Sequence, residues 1–414
     1  MKGGLHMIKC NANRLQKLIE VFSEYGKTDN NGVTRLALSA EDIEARKKFQ
    51  TLCEVVGMTV KYDDMGNMYA TLQGKQNLPP IVIGSHLDSV IKGGRFDGVL
   101  GVLTAIEAIY TIKEENIEFD YPITIVNFTN EEGARFEPSL MSSGVLSGKF
   151  DKKKMIASTD KNGVNFAQAL NESGFEGSET NRLKEATAYI ELHIEQGPVL
   201  EQKNLEIGIV EGVLGMVCYE ISVYGESNHA GTTPINMRKD PMFTAANLIV
   251  DLQKQLQRLD SDLVYTIGRM NTFPNIHTVI PSDVTFTLEA RHQDQGVIAE
   301  VTRMMEELPG NILGCPIKST RLWDRDTVDF GEEVVNAVEY ACKELGYKEN
   351  RMYSGAGHDA QFIASYIPTA MIFVPSVNGY SHREDELTSY EDCAKGANVL
   401  LNTVLKLCLE KVGK

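Results

Sequence analysis

Long apolar runs, an apolar leader and an excess of basic residues are all missing from this 414-residue sequence. Its longest apolar runs, such as PTAMIFVP, are too short to span a bilayer, and the start MKGGLHMIKCNANR lacks the apolar core of a secretory signal. With 41 Lys and Arg against 57 Asp and Glu, the net charge is −16, which argues against nucleic acid and membranes as partners. The sequence alone does not show whether residues 1–6 are native.

Paired cysteines are missing as well. The seven cysteines are scattered, odd in number and never spaced as CxxC: Cys10, Cys53, Cys218, Cys315, Cys342, Cys393 and Cys408. This pattern argues against a disulfide framework and against a thiolate zinc site. It predicts reduced core residues in a cytoplasmic protein, and any metal site must then use histidines and carboxylates.

The order of the segments predicts an α/β fold with two domains, since 414 residues exceed the usual size of one hydrophobic core. The strands IVIG and YPITIVNF flank the helix DGVLGVLTAIEAIYTIKEE, which favours a mostly parallel central sheet flanked by helices. From LGMVCYEISVYG onward, antiparallel strands with two helices predict an inserted α+β domain over residues 213–327. Residues 1–212 and 328–414 then form the larger domain.

Chemically useful side chains stand in four separated loops or strand ends. They are His86, Asp88 and Asp97 in GSHLDSVIKGGRFDG, Glu131 and Glu132 in NEEG, His193 in ELHIEQG, and His382 in SHREDE. A divalent cation binds imidazole nitrogen and carboxylate oxygen, and two neighbouring cations need a shared carboxylate. Adjacent carboxylates such as Glu131 and Glu132 repel each other unless a positive charge lies between them.

Each motif also has an ordinary explanation. A solitary histidine is more often a satisfied core or surface residue, NEEG is more often a solvated turn, and SHREDE is more often a charged loop. The negative net charge is likewise explained by solubility. All of these motifs occur at strand ends of one predicted sheet. This joint occurrence favours a metal site over the ordinary explanation of each motif taken alone.

The motifs together carry a family resemblance. The set GSHLDSV, GGRFDG, NEEGARF, ELHIEQG, SNHAGTTP, GAGHDA and SH, in that order from about residue 15 to 410, resembles the N-carbamoyl-L-amino-acid hydrolase and allantoate amidohydrolase family. That family belongs to the dinuclear-metal clan of aminopeptidases and aminoacylases. ELHIEQGPVLE and NEEGARF are specific to this branch of the clan. The resemblance implies a catalytic metal-binding domain with an inserted lid and dimerisation domain.

The resemblance also implies a role for each motif residue of the larger domain. It implies two divalent metal ions per subunit (Zn, Mn, Co or Ni), with His86 and His193 on different metals and Asp97 bridging them. Glu132 would be a further ligand, and His382 would be the ligand that completes the coordination of the second metal. Glu131 would be the general base. Asp88 would hold the His86 imidazole by its other nitrogen.

In the inserted domain the resemblance implies contacts to substrate. His229 in SNHAGTTP would reach across a homodimer and polarise the scissile carbonyl, and Arg291 in EARH would clamp the substrate carboxylate. Gln196 and His358 resemble further pocket residues, although a structural role for His358 beside Asp359 is equally open. Relatives carry Asn just before VxP of the lid loop. This chain reads PNIHTVIP, with Thr278 there and Asn275 upstream, so the substrate contact differs.

The implied activity is metal-dependent hydrolysis of a linear amide or ureido C–N bond in a small carboxylate, an N-carbamoyl-L-amino acid or allantoate. One alternative is a dipeptidase or aminoacylase of the same clan, which would cleave substrates that lack a ureido group. Another is a catalytically silent dimeric binding protein, which would have lost a ligand or the base. The sequence leaves the substrate, the native metal and the degree of lid closure open.

Overall fold

The computed structural model describes residues 7–409, so the question about residues 1–6 lies outside the described residues. Helices in this range are α1 (Ala12–Ser23), α2 (Ala40–Val55), α3 (Val99–Glu114), α4 (Met141–Leu146), α5 (Lys152–Ile156), α6 (Phe166–Ser173), α7 (Val199–Lys203), α8 (Pro241–Leu259), α9 (Gln295–Glu306), α10 (Glu332–Leu345), α11 (Asp359–Ile363) and α12 (Tyr390–Leu409).

The strands in the same range are β1 (Thr59–Tyr62), β2 (Met68–Leu72), β3 (Ile81–His86), β4 (Ile123–Phe128), β5 (Ala188–Ile194), β6 (Ile207–Val213), β7 (Gly215–Tyr224), β8 (Asn228–His229), β9 (Val264–Thr266), β10 (Met270–Phe273), β11 (Val279–Ile280), β12 (Asp283–His292), β13 (Asn311–Ile312), β14 (Cys315–Arg325), β15 (Val328–Asp329), β16 (Glu349–Ser354) and β17 (Thr369–Val374).

The chain folds into two compact units. The first unit runs to Gly212 and resumes at Asp329, and the second unit is Val213–Val328. A nine-stranded sheet has the order β1-β2-β4-β3-β5-β17-β6-β15, with β16 also paired to β6. The four central strands are parallel, because β3 pairs in parallel with β4 and β5, and β17 with β5. The predicted α/β fold with a mostly parallel central sheet is confirmed.

The central strands are mostly apolar, as expected for strands whose two faces are both covered. Every residue of β3, β4, β5 and β17 is buried. Helix α3 is apolar on nearly all sides and is itself buried, as expected for a helix enclosed in a core. Parallel strands present their carboxyl ends at one edge of the sheet. The loops that carry the polar motifs therefore leave the sheet along the same edge.

The second unit has its own sheet and core. Its strands lie in the order β10-β12-β7-β14-β13, β9 pairs with β12, and β8 and β11 form a separate two-stranded sheet. Alternate residues of β7 and β12, such as Ile221 and Phe286, pack with Leu252 of α8 and Val301 of α9. The two helices thus cover one face of the sheet, and the intervening strand residues, among them Arg291, face the other way.

In the described part of the chain, no helix is long and apolar enough to cross a membrane. All seven cysteines are free thiols, and all except the half-buried Cys10 are buried.

Candidate metal centre

Two histidines and one aspartate meet at the carboxyl edge of the large sheet. His86 ends β3, His193 lies near the end of β5, and Asp97 lies in the loop that leads from β3 to α3. Asp97 Oδ1 is 3.1 Å from His193 Nε2 and 3.9 Å from His86 Nε2. All three residues are buried, and their ligand atoms lie within 4.8 Å of one another, close enough to hold one metal ion.

A second group shares the same aspartate. His382 Nε2 lies 3.3 Å from Asp97 Oδ2 and 3.4 Å from Glu132 Oε2. The ligand atoms of these three residues also lie within 4.8 Å of one another. Asp97 thus offers one carboxylate oxygen to each group, which is the arrangement that a bridging carboxylate requires.

The grouping of the histidines differs from the sequence-based expectation, which placed His86 and His193 on different metals. In the structure both imidazoles approach Asp97 Oδ1, and their ring centroids are 6.0 Å apart. The physical reason is the strand order: β3 and β5 are adjacent parallel strands, so their ends lie side by side. His382, which reaches the other oxygen of Asp97, belongs to the second group instead.

In its neutral form, each buried histidine directs a lone pair towards Asp97. The Nδ1 atom of His86 lies 2.9 Å from the backbone oxygen of Asp88, and that of His193 lies 3.0 Å from the backbone oxygen of Ile194. A carbonyl oxygen only accepts, so each Nδ1 carries the proton and each Nε2 carries the lone pair of the neutral ring. Lone pairs that face carboxylate oxygens fit a cation placed between them.

The pKa values of His86, His193 and Asp97 are shifted because these side chains are buried close to one another. Burial lowers the pKa of His86 to about 4, so its imidazole is neutral at pH 7. Burial also favours the neutral ring of His193, but the contact with Asp97 raises the pKa of His193 to about 9. Burial opposes ionisation of Asp97, yet its close contacts with His193 and His382 hold its pKa well below the usual range.

Glu131 and Glu132 follow β4 and lie at the same edge of the sheet. Glu131 Oε2 is 3.5 Å from His86 Nε2, and both carboxyl groups are shielded from solvent. Burial raises the pKa of Glu131 well above its usual value, and the charge of Glu132 raises it further. The pKa of Glu132 is raised by burial and then by Asp97. A nearby divalent cation would offset this repulsion and keep the carboxylates ionised.

One buried atom has no hydrogen-bond partner where a ligand atom is expected. Glu132 Oε1 is buried and contacts no donor among residues 7–409. A buried unsatisfied carboxylate oxygen is costly unless a cation compensates it. The candidate ligand atoms of the two groups are imidazole nitrogens and carboxylate oxygens. These atoms and the unsatisfied Glu132 Oε1 fit a site for a divalent metal ion.

Asp88 supports this site differently from the sequence-based expectation. Its backbone oxygen, rather than its carboxylate, accepts from His86 Nδ1, since the nearer carboxylate oxygen is 3.8 Å away. The carboxylate instead accepts hydrogen bonds from the backbone N–H groups of Glu131 (3.3 Å) and Glu132 (3.2 Å). Asp88 therefore joins the loop after β3 to the loop after β4, and it fixes the two glutamates relative to His86.

The pattern that defines peptidase family M20/M25/M40 matches residues 82–406, which include every residue of this site. The chain belongs to this family. N-carbamoyl-L-amino-acid amidohydrolase of Rhizobium meliloti is 37% identical over 407 residues, which cover 96% of this chain and 97% of the relative. Allantoate amidohydrolase of Bacillus subtilis (strain 168) is 34% identical over 403 residues, covering 95% of this chain and 97% of the relative.

Solved structures of related proteins have the same fold as this M20/M25/M40 family member. An amidase of the hydantoinase/carbamoylase family from Burkholderia multivorans superposes with a TM-score of 0.90 at 36% identity, covering 97% of this chain and 99% of that chain. The resemblance inferred from the sequence motifs is confirmed. The family and the groups of candidate ligands agree that this is a metal-dependent protein.

Gln196 lies at the metal site of this family member. Its Nε2 atom donates to Asp97 Oδ2 and to Ser381 Oγ, each at 3.0 Å. Its Oε1 atom is buried and has no hydrogen-bond partner within the described range 7–409. The Nε2 end of the Gln196 amide therefore orients Asp97, and the Oε1 end remains available to accept a hydrogen bond.

His358 lies behind the site. Its ring packs edge-on against His193 with centroids 4.5 Å apart, and its Nε2 atom is 2.9 Å from Ser354 Oγ. Burial, and then the charge of His193, hold the pKa of His358 well below the usual value, so the ring is neutral. His193, His358 and Glu191 form a third group of buried potential ligands.

Two buried acids beside the site were not singled out from the sequence. Glu191 accepts hydrogen bonds from Ser85 Oγ (2.6 Å) and Tyr189 OH (3.0 Å). Glu386 lies near Asp97, and burial together with the charge of Asp97 raises its pKa to about 8. The alternation of ELHIEQG could have identified Glu191, because it puts this residue on the same face as His193. Nothing in SHREDE distinguishes Glu386 from the other charged residues.

The remaining candidates belong to the second unit. His229 lies on β8, which pairs with β11, and its neighbour Ala230 donates to the backbone oxygen of Thr278 (3.0 Å). His229 Nδ1 accepts from the N–H groups of Gly231 (3.0 Å) and Thr232 (3.2 Å). In the neutral ring the proton is then on Nε2, which is an exposed donor. Asn275 lies in the loop before β11 in a left-handed conformation (φ +59°).

Arg291 on β12 is half-buried, and the neighbouring Glu289 holds its guanidinium in place. Its Nε and Nη2 atoms contact Glu289 Oε1 at 2.7 and 2.5 Å, and the two residues point to the same face of the sheet. A guanidinium held along one edge by a carboxylate is fixed in direction. The face of β12 opposite to the core thus presents a cation.

Proposed function

We propose that this chain hydrolyses a linear amide or ureido C–N bond in a small carboxylate substrate, an N-carbamoyl-L-amino acid or allantoate. The observation that carries this proposal is the convergence of two ligand groups on the two oxygens of Asp97, with Glu131 beside them. The named activities of relatives at 37% and 34% identity over nearly the whole chain support the substrate class.

We assign two divalent cations to each subunit, of zinc, manganese, cobalt or nickel. His86, Asp97 and His193 would hold one, and Asp97, Glu132 and His382 would hold the other. Bound there, such cations would lower the pKa of a coordinated water and polarise the scissile carbonyl. The neutral imidazole of His86 and the unsatisfied Glu132 Oε1 support this assignment.

Glu131 acts as the general base and then as the general acid. It accepts the proton of the attacking water and delivers it to the leaving nitrogen when the C–N bond breaks. Its burial supports both steps, because a carboxyl group with a raised pKa retains the accepted proton until the leaving group needs it. Asp88 keeps Glu131 at its place through the backbone N–H contact of 3.3 Å.

Residues of the second unit bind the rest of the substrate. The Nε2–H group of His229 donates to the carbonyl oxygen on which negative charge develops. Arg291 pairs with the substrate carboxylate, and Glu289 fixes the direction of its guanidinium. Asn275 and Thr278, in the loop before β11, contact the substrate, and the Thr278 backbone lies against Ala230, the neighbour of His229. In the first unit, the buried Gln196 Oε1 accepts from a substrate N–H group, and His358 supports the pocket from behind His193.

The active form is a homodimer in a cytoplasmic setting, in which the second unit serves as lid and dimer platform. Large apolar side chains on the exposed side of α8 support a dimer, since Phe243 is 67% and Val250 is 46% exposed. The seven free thiols support a reducing compartment.

Ammonia release from N-carbamoyl-L-amino acids and allantoate, each with Zn²⁺, Mn²⁺, Co²⁺ or Ni²⁺, tests the function. Dipeptides and N-acetyl amino acids serve as comparison substrates, and their hydrolysis is followed by the free amino acid that it releases. We expect turnover of ureido substrates, which yields an amine or a second ureido product, carbon dioxide and ammonia. Glu131→Gln should bind metal normally and lose about 10²- to 10⁴-fold in kcat. Preferential cleavage of dipeptides, or full activity of Glu131→Gln, would contradict the proposal.

A further inference from the structure

A buried carboxylate outside both ligand groups joins the loops that deliver Asp97 and His382. Glu386 is 3% exposed and lies in the irregular segment between β17 and α12. Its Oε1 atom accepts from the backbone N–H groups of Phe96 (3.2 Å) and Asp97 (3.1 Å), and its Oε2 atom accepts from the Ser381 hydroxyl (3.2 Å). One side chain therefore connects two segments that are far apart in sequence.

The carboxylate of Glu386 lies directly against the glycine-rich loop. A Cβ atom at Gly94 would be only 1.9 Å from Glu386 Oε1, so any side chain at this position would displace the carboxylate. Because Glu386 accepts from main-chain N–H groups, it fixes the backbone of the Asp97 loop and leaves the Asp97 carboxylate available to other partners.

His382 depends on this contact more than the other two imidazoles do. His86 and His193 stand on β3 and β5, whose backbones the sheet holds in place. His382 lies outside any helix or strand, and its side chain is 52% exposed. The adjacent Ser381 is held by Glu386 and by Gln196 Nε2 (3.0 Å). Loss of Glu386 would therefore loosen the His382 loop first.

We propose that Glu386 is a positioning residue that holds the Asp97 loop against the His382 loop and thereby sets the affinity for the cation bound by Asp97, Glu132 and His382. This inference rests on the proposed metal centre. A residue that orients ligands without touching the ion typically contributes about 10- to 100-fold in metal affinity. The other cation site has two ligands on sheet strands, so its affinity should change much less.

Titration of the full chain with Mn²⁺, with free Mn²⁺ counted by its EPR signal, tests this role. Glu386→Ala should weaken one of two binding steps by about 10- to 100-fold. Glu386→Gln keeps an oxygen that accepts from Phe96 and Asp97, and it should recover most of this loss. Asp385→Asn is the matched control in the same segment, since Asp385 is exposed and pairs with Arg383, and it should bind like the unsubstituted chain.

Two unchanged binding steps in Glu386→Ala would overturn the proposal. An equal loss at both steps together with a lower melting temperature would also overturn it, because that result describes a residue that only stabilises the fold. A failure of the unsubstituted chain to bind Mn²⁺ would contradict the metal centre itself, and this role of Glu386 with it.

Discussion

Position 98 accepts only glycine, because the imidazole of His86 fills the space that a side chain would need. A Cβ atom at this position would lie 2.2 Å from both Cε1 and Nε2 of His86. Gly98 also has φ +65°, a conformation that residues with side chains seldom adopt. Its N–H group donates to His193 Nε2 (3.2 Å). A side chain here would push on one imidazole and disturb the contact with the other.

We expect Gly98→Ala to lose bound metal and activity in addition to the cost of its backbone conformation. Gly148 is the matched control, since its φ is +74° and no described atom lies within 4 Å of its Cβ position. Gly148→Ala should lower the free energy of unfolding by about 1 kcal/mol and leave activity unchanged. Metal analysis and urea denaturation of both variants separate the effects. Equal metal content in the two variants would argue against the close packing of Gly98 on His86.

The residue types of the site could be predicted from the sequence, whereas the contacts of their side chains could not. His86, Asp97, Glu132, His193 and His382 lie together in the structure, as the motifs implied. That His86 and His193 approach the same oxygen follows from the adjacency of β3 and β5, and strand order is not visible in a sequence pattern. Likewise, only burial distinguishes Glu386 from its charged neighbours.

At the scale of elements, Asp64 ties the hairpin of β1 and β2 to two other segments. Its carboxylate accepts from Arg182 Nε (2.6 Å) and Nη2 (2.8 Å), and it also pairs with Lys152 at the start of α5. Burial opposes ionisation of Asp64, but these two cations lower its pKa below the ordinary value. The lowered pKa means that the ionised form of Asp64 is more stable in the folded state than in the unfolded state.

Asp64 should therefore stabilise the fold above its unfolded-state pKa and lose this contribution as the pH falls through the acidic range. We expect Asp64→Asn to lower the free energy of unfolding by about 1 to 3 kcal/mol at pH 7, with a smaller difference from the unsubstituted chain near pH 3. Urea denaturation at both pH values measures the two differences. A difference that does not shrink at low pH would show that the charge of Asp64 contributes little.

Short elements limit what a sequence pattern can predict. SNHAGTTP has the composition of a loop, but Asn228–His229 forms β8 and pairs with β11. Each of these strands has two residues, fewer than an alternating pattern needs to be detected. Their pairing brings the Thr278 backbone against Ala230 (3.0 Å), next to His229. Longer strands, such as the ten-residue β12, follow the alternation of their sequence.

At the scale of the whole molecule, the proposed dimer makes a prediction about mixed subunits. Each active site would combine Glu131 of one protomer with His229 of the partner subunit. Glu131→Gln and His229→Ala should each be inactive alone, yet exchange of subunits between them should restore about a quarter of the sites. A mixture of Glu131→Gln with His193→Ala is the control and should stay inactive. No recovery in the first mixture would show that His229 does not act across the dimer.

The most direct test of the account is anomalous diffraction from crystals of the full chain grown with Mn²⁺ or Zn²⁺. We predict two strong peaks that share Asp97, one within bonding distance of His86 and His193 and the other within bonding distance of Glu132 and His382. A single peak, or peaks away from these side chains, would contradict the paired cation site on which the proposed hydrolysis depends.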